Sequence, residues 1–154
     1  MTYSSAVAYL FRLQKHGIQL GLETIGALVA RLGMPQTKYP VLHIAGTNGK
    51  GSTAAMAASV LQAAGYRVGL YTSPHLVEFR ERIRVNGKMI GESRVAQLTE
   101  QLQALCRQDQ SPTFFEYTTA MAFQHFADSA VEVAVLEVGL GGRFDATNVV
   151  SPLA

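Results

Sequence analysis

The apolar run Val41-Leu42-His43-Ile44-Ala45, bounded by Pro40 and Gly46, passes without a break into Gly46-Thr47-Asn48-Gly49-Lys50-Gly51-Ser52-Thr53 and then into an alanine-rich stretch. This junction limits the fold more than any other feature. A short, partly β-branched run without alternation suits a strand buried on both faces, as in a parallel sheet. A glycine turn that opens a helix directs backbone N–H groups and the positive helix end at one point, where an anion is favoured. Glycines let the main chain approach phosphate oxygens, Lys50 brings a mobile charge to terminal phosphates, and a following hydroxyl can ligate Mg²⁺. The loop is a shortened variant of the standard phosphate-binding pattern. Ile44 stands where that pattern has its first glycine, and Gly51 separates Lys50 from Ser52. The plain alternative is a glycine turn followed by a Ser or Thr helix cap.

The rest of the chain supports an alternating α/β reading. Ala6, Tyr9, Leu10 and Leu13 recur at helical spacing before Gly17, and Leu22, Ile25, Leu28, Val29 and Leu32 repeat the period before Gly33. Residues 53–64 carry Met56, Val60 and Leu61 on one stripe and end at Gly65, after which Val68-Gly69-Leu70-Tyr71 reads as a second strand. Strand, turn, helix and strand make one βαβ unit. Asn86-Gly87 between Arg82-Ile83-Arg84-Val85 and Lys88-Met89-Ile90 predicts a small surface hairpin. Residues 93–107 and 115–126 predict two further helices, and Val131 to Val138 is the clearest strand. The predicted fold is a three-layer, P-loop-type, mostly parallel sheet with flanking helices, whose ligands sit beyond the carboxyl ends of the strands.

Glu137 ends that apolar strand, where a buried carboxylate without a partner would cost several kcal/mol, so a cation beside it, Mg²⁺ first, is the economical reading. A lysine partner or a helix cap remains the alternative. The following Gly139-Leu140-Gly141-Gly142-Arg143-Phe144-Asp145-Ala146-Thr147-Asn148 is too rich in glycine and polar groups for a simple connection, and Arg143, Asp145 and Asn148 are candidates to face a ligand. A dinucleotide-binding turn would need a third glycine where Phe144 stands.

Composition closes several doors. Hydrophobic residues make up 48% and charged ones 16% of the 154 residues, too apolar a balance for a disordered chain. No apolar run approaches membrane-span length, and no secretory signal follows Met1, so a cytoplasmic, membrane-free location is expected. Cys106 is the single cysteine, which excludes an intramolecular disulfide and a cysteine metal cluster. A net charge of +2 is too weak to indicate nucleic acid. Arg80, Arg82, Arg84 and Lys88, interleaved with Glu78 and Glu81, are either a solvated hairpin face or a contact for an acidic tail. His43 and His125 read as packing residues, His16 as a helix-end residue, and His75 as an exposed turn or substrate-loop residue.

Four motifs in order carry a resemblance: the phosphate loop from His43 to Ser52; Thr72-Ser73-Pro74-His75-Leu76; Glu81-Arg82-Ile83-Arg84-Val85-Asn86-Gly87; and Phe115-Glu116-Tyr117 with Leu136-Glu137-Val138-Gly139 and the glycine run after it. Together they resemble the folylpolyglutamate synthase and dihydrofolate synthase family of the Mur ligase superfamily. The resemblance implies an ATP-dependent amide ligase that adds L-glutamate to the carboxylate of a folate or dihydropteroate through an acyl phosphate. Gly46, Thr47, Asn48, Gly49, Lys50, Gly51 and Ser52 would wrap ATP, and Ser52, Ser73 and Glu137 would hold Mg²⁺. Lys50 and Glu137 would carry the catalytic electrostatics. Thr113, Phe114, Phe115 and Glu116 with Phe144, Asp145 and Ala146 would line the acceptor pocket, Ile18 and Leu20 adding an apolar wall. The resemblance further implies a histidine ligand, a carbamylated lysine, adenine contacts and a glutamate-binding domain beyond Ala154. The expectation is therefore an N-terminal piece of the ATP-binding domain of a monomeric enzyme, inactive in ligation by itself. Another Mur-type amino-acid ligase and a non-catalytic nucleotide-binding module are the competing readings.

Overall fold

The computed structural model describes residues 1–14, 21–106 and 111–154. Helices α1 (Tyr3–Leu13) and α2 (Glu23–Arg31) lead into β1 (Val41–Ile44), α3 (Lys50–Ala63), β2 (Val68–Tyr71), β3 (Ile83–Val85), β4 (Lys88–Met89), α4 (Glu92–Leu105), α5 (Phe114–Asp128) and β5 (Val133–Glu137). Short 3-10 turns lie at Pro35–Thr37, Phe79–Arg82 and Ala146–Val149. The five strands form one sheet in the order β1-β5-β2-β3-β4. β5 runs parallel to both neighbours, Ile44 opposite Glu137 and Tyr71 opposite Leu136, so β1, β5 and β2 end at one level.

β5 shows why the sheet has three layers. All five of its residues are buried, and its side chains alternate faces as strand geometry requires. Val133 and Val135 join Ala54 and Ala58 of α3 and Val68 of β2 in one cluster. Ala134 and Leu136 join the larger cluster on the other face, with Tyr117, Met121, Phe123 and Phe126 of α5 and residues of α1, α2 and α4. The alanines of α3 therefore let that helix lie close to the sheet, while the aromatics of α5 fill the thicker layer. Each fully buried Val, Leu or Phe contributes about 1.5–3 kcal/mol of transfer free energy.

The predicted surface hairpin exists, with β4 exposed, and it also extends the main sheet. β3 pairs antiparallel with β2, Gly69 opposite Val85 and Tyr71 opposite Ile83, so the hairpin forms the edge of the main sheet and makes it mixed. Asn86, in the left-handed region (φ 48°), fixes that edge through both backbone and side chain. Its N–H donates to the Val68 carbonyl (2.9 Å), and its Oδ1 accepts from the Val68 N–H (2.7 Å). At the opposite edge the last residues run beside β1, with Leu153 N donating to Val41 O and His43 N donating to Ala154 O, both at 2.8 Å. Among the described residues no helix is long and apolar enough to cross a membrane.

Candidate functional site

Because β1, β5 and β2 end together, the segments that follow them, beginning at residues 45, 138 and 72, emerge side by side at the carboxyl edge of the sheet. The first leads into α3 at Lys50 itself. Gly49 occupies the capping position in a left-handed conformation (φ 75°) and offers no side chain to the helix. The first-turn amides of Lys50, Gly51 and Ser52 have no acceptor among the described residues. Lys50 has no ion-pair partner there either. Uncapped amides, a positive helix end and a free ammonium form a cradle for an anion.

Glu137 stands directly against this cradle. It is 6% exposed, and a methyl group placed on Gly51 would lie 3.4 Å from each of its carboxylate oxygens. Ser73 N donates to Oε2 at 2.9 Å, which ties the third loop to the same carboxylate. Among the described residues no Lys, Arg or His forms an ion pair with Glu137. A backbone N–H and the adjacent helix start offset part of the burial of Glu137, and Oε1 has no hydrogen-bond donor among the described residues. Ser73 precedes a cis peptide to Pro74. Among the described residues no group of three His, Cys, Asp or Glu gathers as a metal cluster. Mg²⁺ needs fewer protein ligands, since it keeps waters and shares substrate phosphates beside one or two carboxylates. Glu137 with the hydroxyls of Ser52 and Ser73 fits that donor set.

The remaining loop, residues 138–145, behaves differently. Asp145 is buried and takes donors on both oxygens: Gly139 N (3.0 Å) and Leu140 N (2.9 Å) on Oδ1, Thr147 N (3.0 Å) and the Thr147 hydroxyl on Oδ2. With the Thr147 hydroxyl donating to Asp145, His43 Nε2 must be the donor in its 2.7 Å bond to Thr147 Oγ1. Burial lowers the His43 pKa, with Asp145 opposing the shift. Asp145 thus holds its own loop together before it meets any ligand. Asn148, a predicted ligand-facing residue, instead donates to the Arg143 carbonyl at 3.0 Å and closes the turn.

A cavity of about 720 Å³ opens between this loop and the start of α5. Its wall contains Ser73, Pro74, Arg82, Thr113, Phe114, Phe115, Glu116, Arg143, Phe144, Asp145 and Ala146. All seven of the described residues expected to line an acceptor pocket, from Thr113 to Glu116 and from Phe144 to Ala146, meet here; Ile18 and Leu20, like His16, lie outside the described residues. Two of the seven are also local architecture. Thr113 caps α5, accepting from Glu116 N, while Glu116 Oε2 accepts from Thr113 N at 2.8 Å. Phe144 is 54% exposed and forms an open aromatic rim. Gly139 is essential to the wall's shape, because a methyl group there would come within 2.5 Å of the Phe115 ring.

Of the two readings of the basic strip, Arg82 does not fit the solvated face. It is 6% exposed, lies within this wall, and has its guanidinium 5.1 Å from the Phe114 ring centre. The basic strip dissolves into local pairings: Arg80 with Glu78 and Glu92, and Arg84 Nε with the Glu81 carbonyl. Glu81 itself accepts from the N–H groups of Leu76, Val77 and Glu78, which hold its pKa down to about 2. His75 is not free in its turn, since Nδ1 accepts from Arg82 Nε at 2.8 Å. His125 packs as expected, its Nδ1 buried with no hydrogen-bond partner among the described residues and its pKa lowered by burial to about 4.

No family model matches the chain. Comparison with individual proteins does. The chain is 46% identical, over 98% of its length, to the dihydrofolate synthase/folylpolyglutamate synthase of Bacillus subtilis. It superposes on the crystal structure of a Thermotoga maritima folylpolyglutamate synthase with a TM-score of 0.91 at 49% identity over 98% of the chain. By sequence and by fold, the chain is similar to about a third of the length of folylpolyglutamate synthases and dihydrofolate synthases. The Escherichia coli relative solved in complex with DHPP and ADP matches at a TM-score of 0.90 and 45% identity over 99% of the chain. The chain spans about a third of the length of these relatives, 36% in each case. The α/β fold read from the junction at residues 41–53 is the fold of these synthases.

Proposed function

We propose that the protein carrying this chain is a cytoplasmic, ATP-dependent ligase that joins L-glutamate to the carboxylate of a folate or dihydropteroate. In this reading the chain is the N-terminal part of the ATP-binding domain and supplies the phosphate loop, the magnesium side chains and much of the acceptor pocket. The observation that carries it is the meeting of the uncapped α3 start, Glu137 and Ser73, the last of which also lines the aromatic cavity. One end of the site suits a polyphosphate and the other a flat, partly apolar acid. The solved complex of the Escherichia coli relative with DHPP and ADP supports the same pairing of ligands.

A carboxylate is a poor electrophile, and ATP remedies this by phosphorylation. The acceptor oxygen attacks the γ-phosphorus and ADP leaves; the amine of glutamate then attacks the acyl carbon, phosphate leaves, and the amine proton is lost. The amides of Lys50, Gly51 and Ser52 and the Lys50 ammonium hold the phosphates and draw negative charge off the transferring group. Ser52, Ser73 and Glu137 would hold Mg²⁺, which supplies charge neutralisation so that two anions can approach. Phe114, Phe115 and Phe144 exclude water and orient the acceptor ring. No protein nucleophile is required.

Phosphate release by the full-length protein tests this reading. It should need ATP, a pterin acid and L-glutamate together, and should fall by two orders of magnitude or more in Glu137→Gln. Release independent of the pterin acid, or driven by a cell-wall nucleotide in its place, would end the proposal.

A further inference from the structure

Arg82 presents a combination that the fold does not explain. It is buried in the cavity wall, yet none of the ion pairs among the described residues includes it. Nε is spent on His75, a neutral acceptor, and Nη1 and Nη2 have no hydrogen-bond partner among the described residues. Neither nitrogen is among the fully enclosed, unpartnered atoms, so the fork opens into the cavity rather than into packed core. Burial also pushes the guanidinium pKa below its ordinary value. A buried, half-satisfied cation is costly unless an anion completes it, and a planar guanidinium fork matches a carboxylate in bidentate fashion.

The position of Arg82 along the cavity selects which anion. Thr72 N donates to the Arg82 carbonyl at 3.0 Å, and the next residue, Ser73, binds Glu137. Arg82 therefore leaves the backbone beside the magnesium end of the cavity, where an acceptor carboxylate must lie to be phosphorylated. His75 and the Phe114 face hold the fork on two sides. We propose that Arg82 is the residue that binds and orients the acceptor's reacting carboxylate, an inference that rests on the acceptor reading given above.

Calorimetry on the full-length protein tests it with two ligands, dihydropteroate and its carboxamide. The wild type should prefer the acid by about 10- to 100-fold, the scale of hydrogen bonds to a charged group. Arg82→Met should lose that preference while binding the carboxamide within about twofold of wild type, and Arg82→Lys should keep a smaller part of it. Retention of the full preference in Arg82→Met overturns the inference and leaves the acceptor reading standing. If neither ligand binds the wild type, the acceptor reading falls and takes this one with it. Should Arg82→Met unfold, Arg82→Lys decides: an undiminished preference for the acid overturns the assignment, and a reduced one supports it.

Discussion

Two glycine-rich loops leave the same edge of the sheet, one before α3 and one after β5, and they resolve their backbone polarity in opposite ways. The first has no side-chain cap, and the amides of Lys50, Gly51 and Ser52 have no acceptor among the described residues. The second folds around Asp145, whose two oxygens receive Gly139, Leu140 and Thr147. A similar glycine content therefore serves two purposes. One loop is built to be completed from outside, and the other is a rigid wall completed from within. The discriminating feature is a carboxylate inside the loop, because buried backbone donors demand a partner and a local Asp provides it.

The contrast predicts separate failures. The largest is Asp145→Ala, which strands three backbone donors and a hydroxyl and should destabilise the chain by about 4 kcal/mol in denaturant unfolding. A loss under about 1 kcal/mol would show that the second loop does not depend on its carboxylate. Next comes Gly139→Ala, where a methyl group meets the Phe115 ring at 2.5 Å. Overpacking should cost about 2 kcal/mol and push the ring into the cavity, weakening acceptor binding more than nucleotide binding.

A smaller effect separates the loops by pH. The pKa of His43 is depressed in the folded state, chiefly by burial, so the unfolded chain takes up this proton first as the solution is acidified. Its stabilising contribution is present above the ordinary histidine value and is lost as pH falls below it. His125 adds a contribution of the same sign, lost between about 6.5 and 4. Comparing wild type with His43→Gln isolates the second loop, and the variant should show the weaker acid sensitivity between pH 7 and 5. Equal slopes would remove His43 from the account. The smallest expected stability change is for Lys50→Ala, within about 0.5 kcal/mol of wild type, because Lys50 makes no ion pair among the described residues.

These outcomes mark how far the residues alone reach. The junction at residues 41–53 was legible because strand, turn and helix signals fall in immediate succession, and the aromatic pocket was legible through family motifs. Asp145 was named as a pocket residue, and it does lie in the cavity wall, but its place as the internal anchor of its loop was not legible, since its four bonds depend on a turn conformation that spacing does not encode. Arg82 was hidden by its neighbours. A charge in an alternating Arg and Glu run looks solvated, and only the pairing of β3 with β2 turns it inward against Phe114. The pairing of the hairpin with the main sheet was not legible for the same reason, as its partner strand lies twelve residues or more away in sequence.

The central claim is that the start of α3 and Glu137 form one polyphosphate and magnesium cradle while the 138–145 loop is a finished wall. Backbone amide NMR of this chain, titrated with ATP at millimolar concentration with and without Mg²⁺, tests it directly. The account predicts shifts concentrated at residues 46–52 and at Ser73, with the Mg²⁺-dependent share lost in Glu137→Gln and the amides of Gly139, Leu140 and Thr147 unmoved. Shifts centred on Gly139, Leu140 and Thr147, or a magnesium response unchanged in Glu137→Gln, would contradict it.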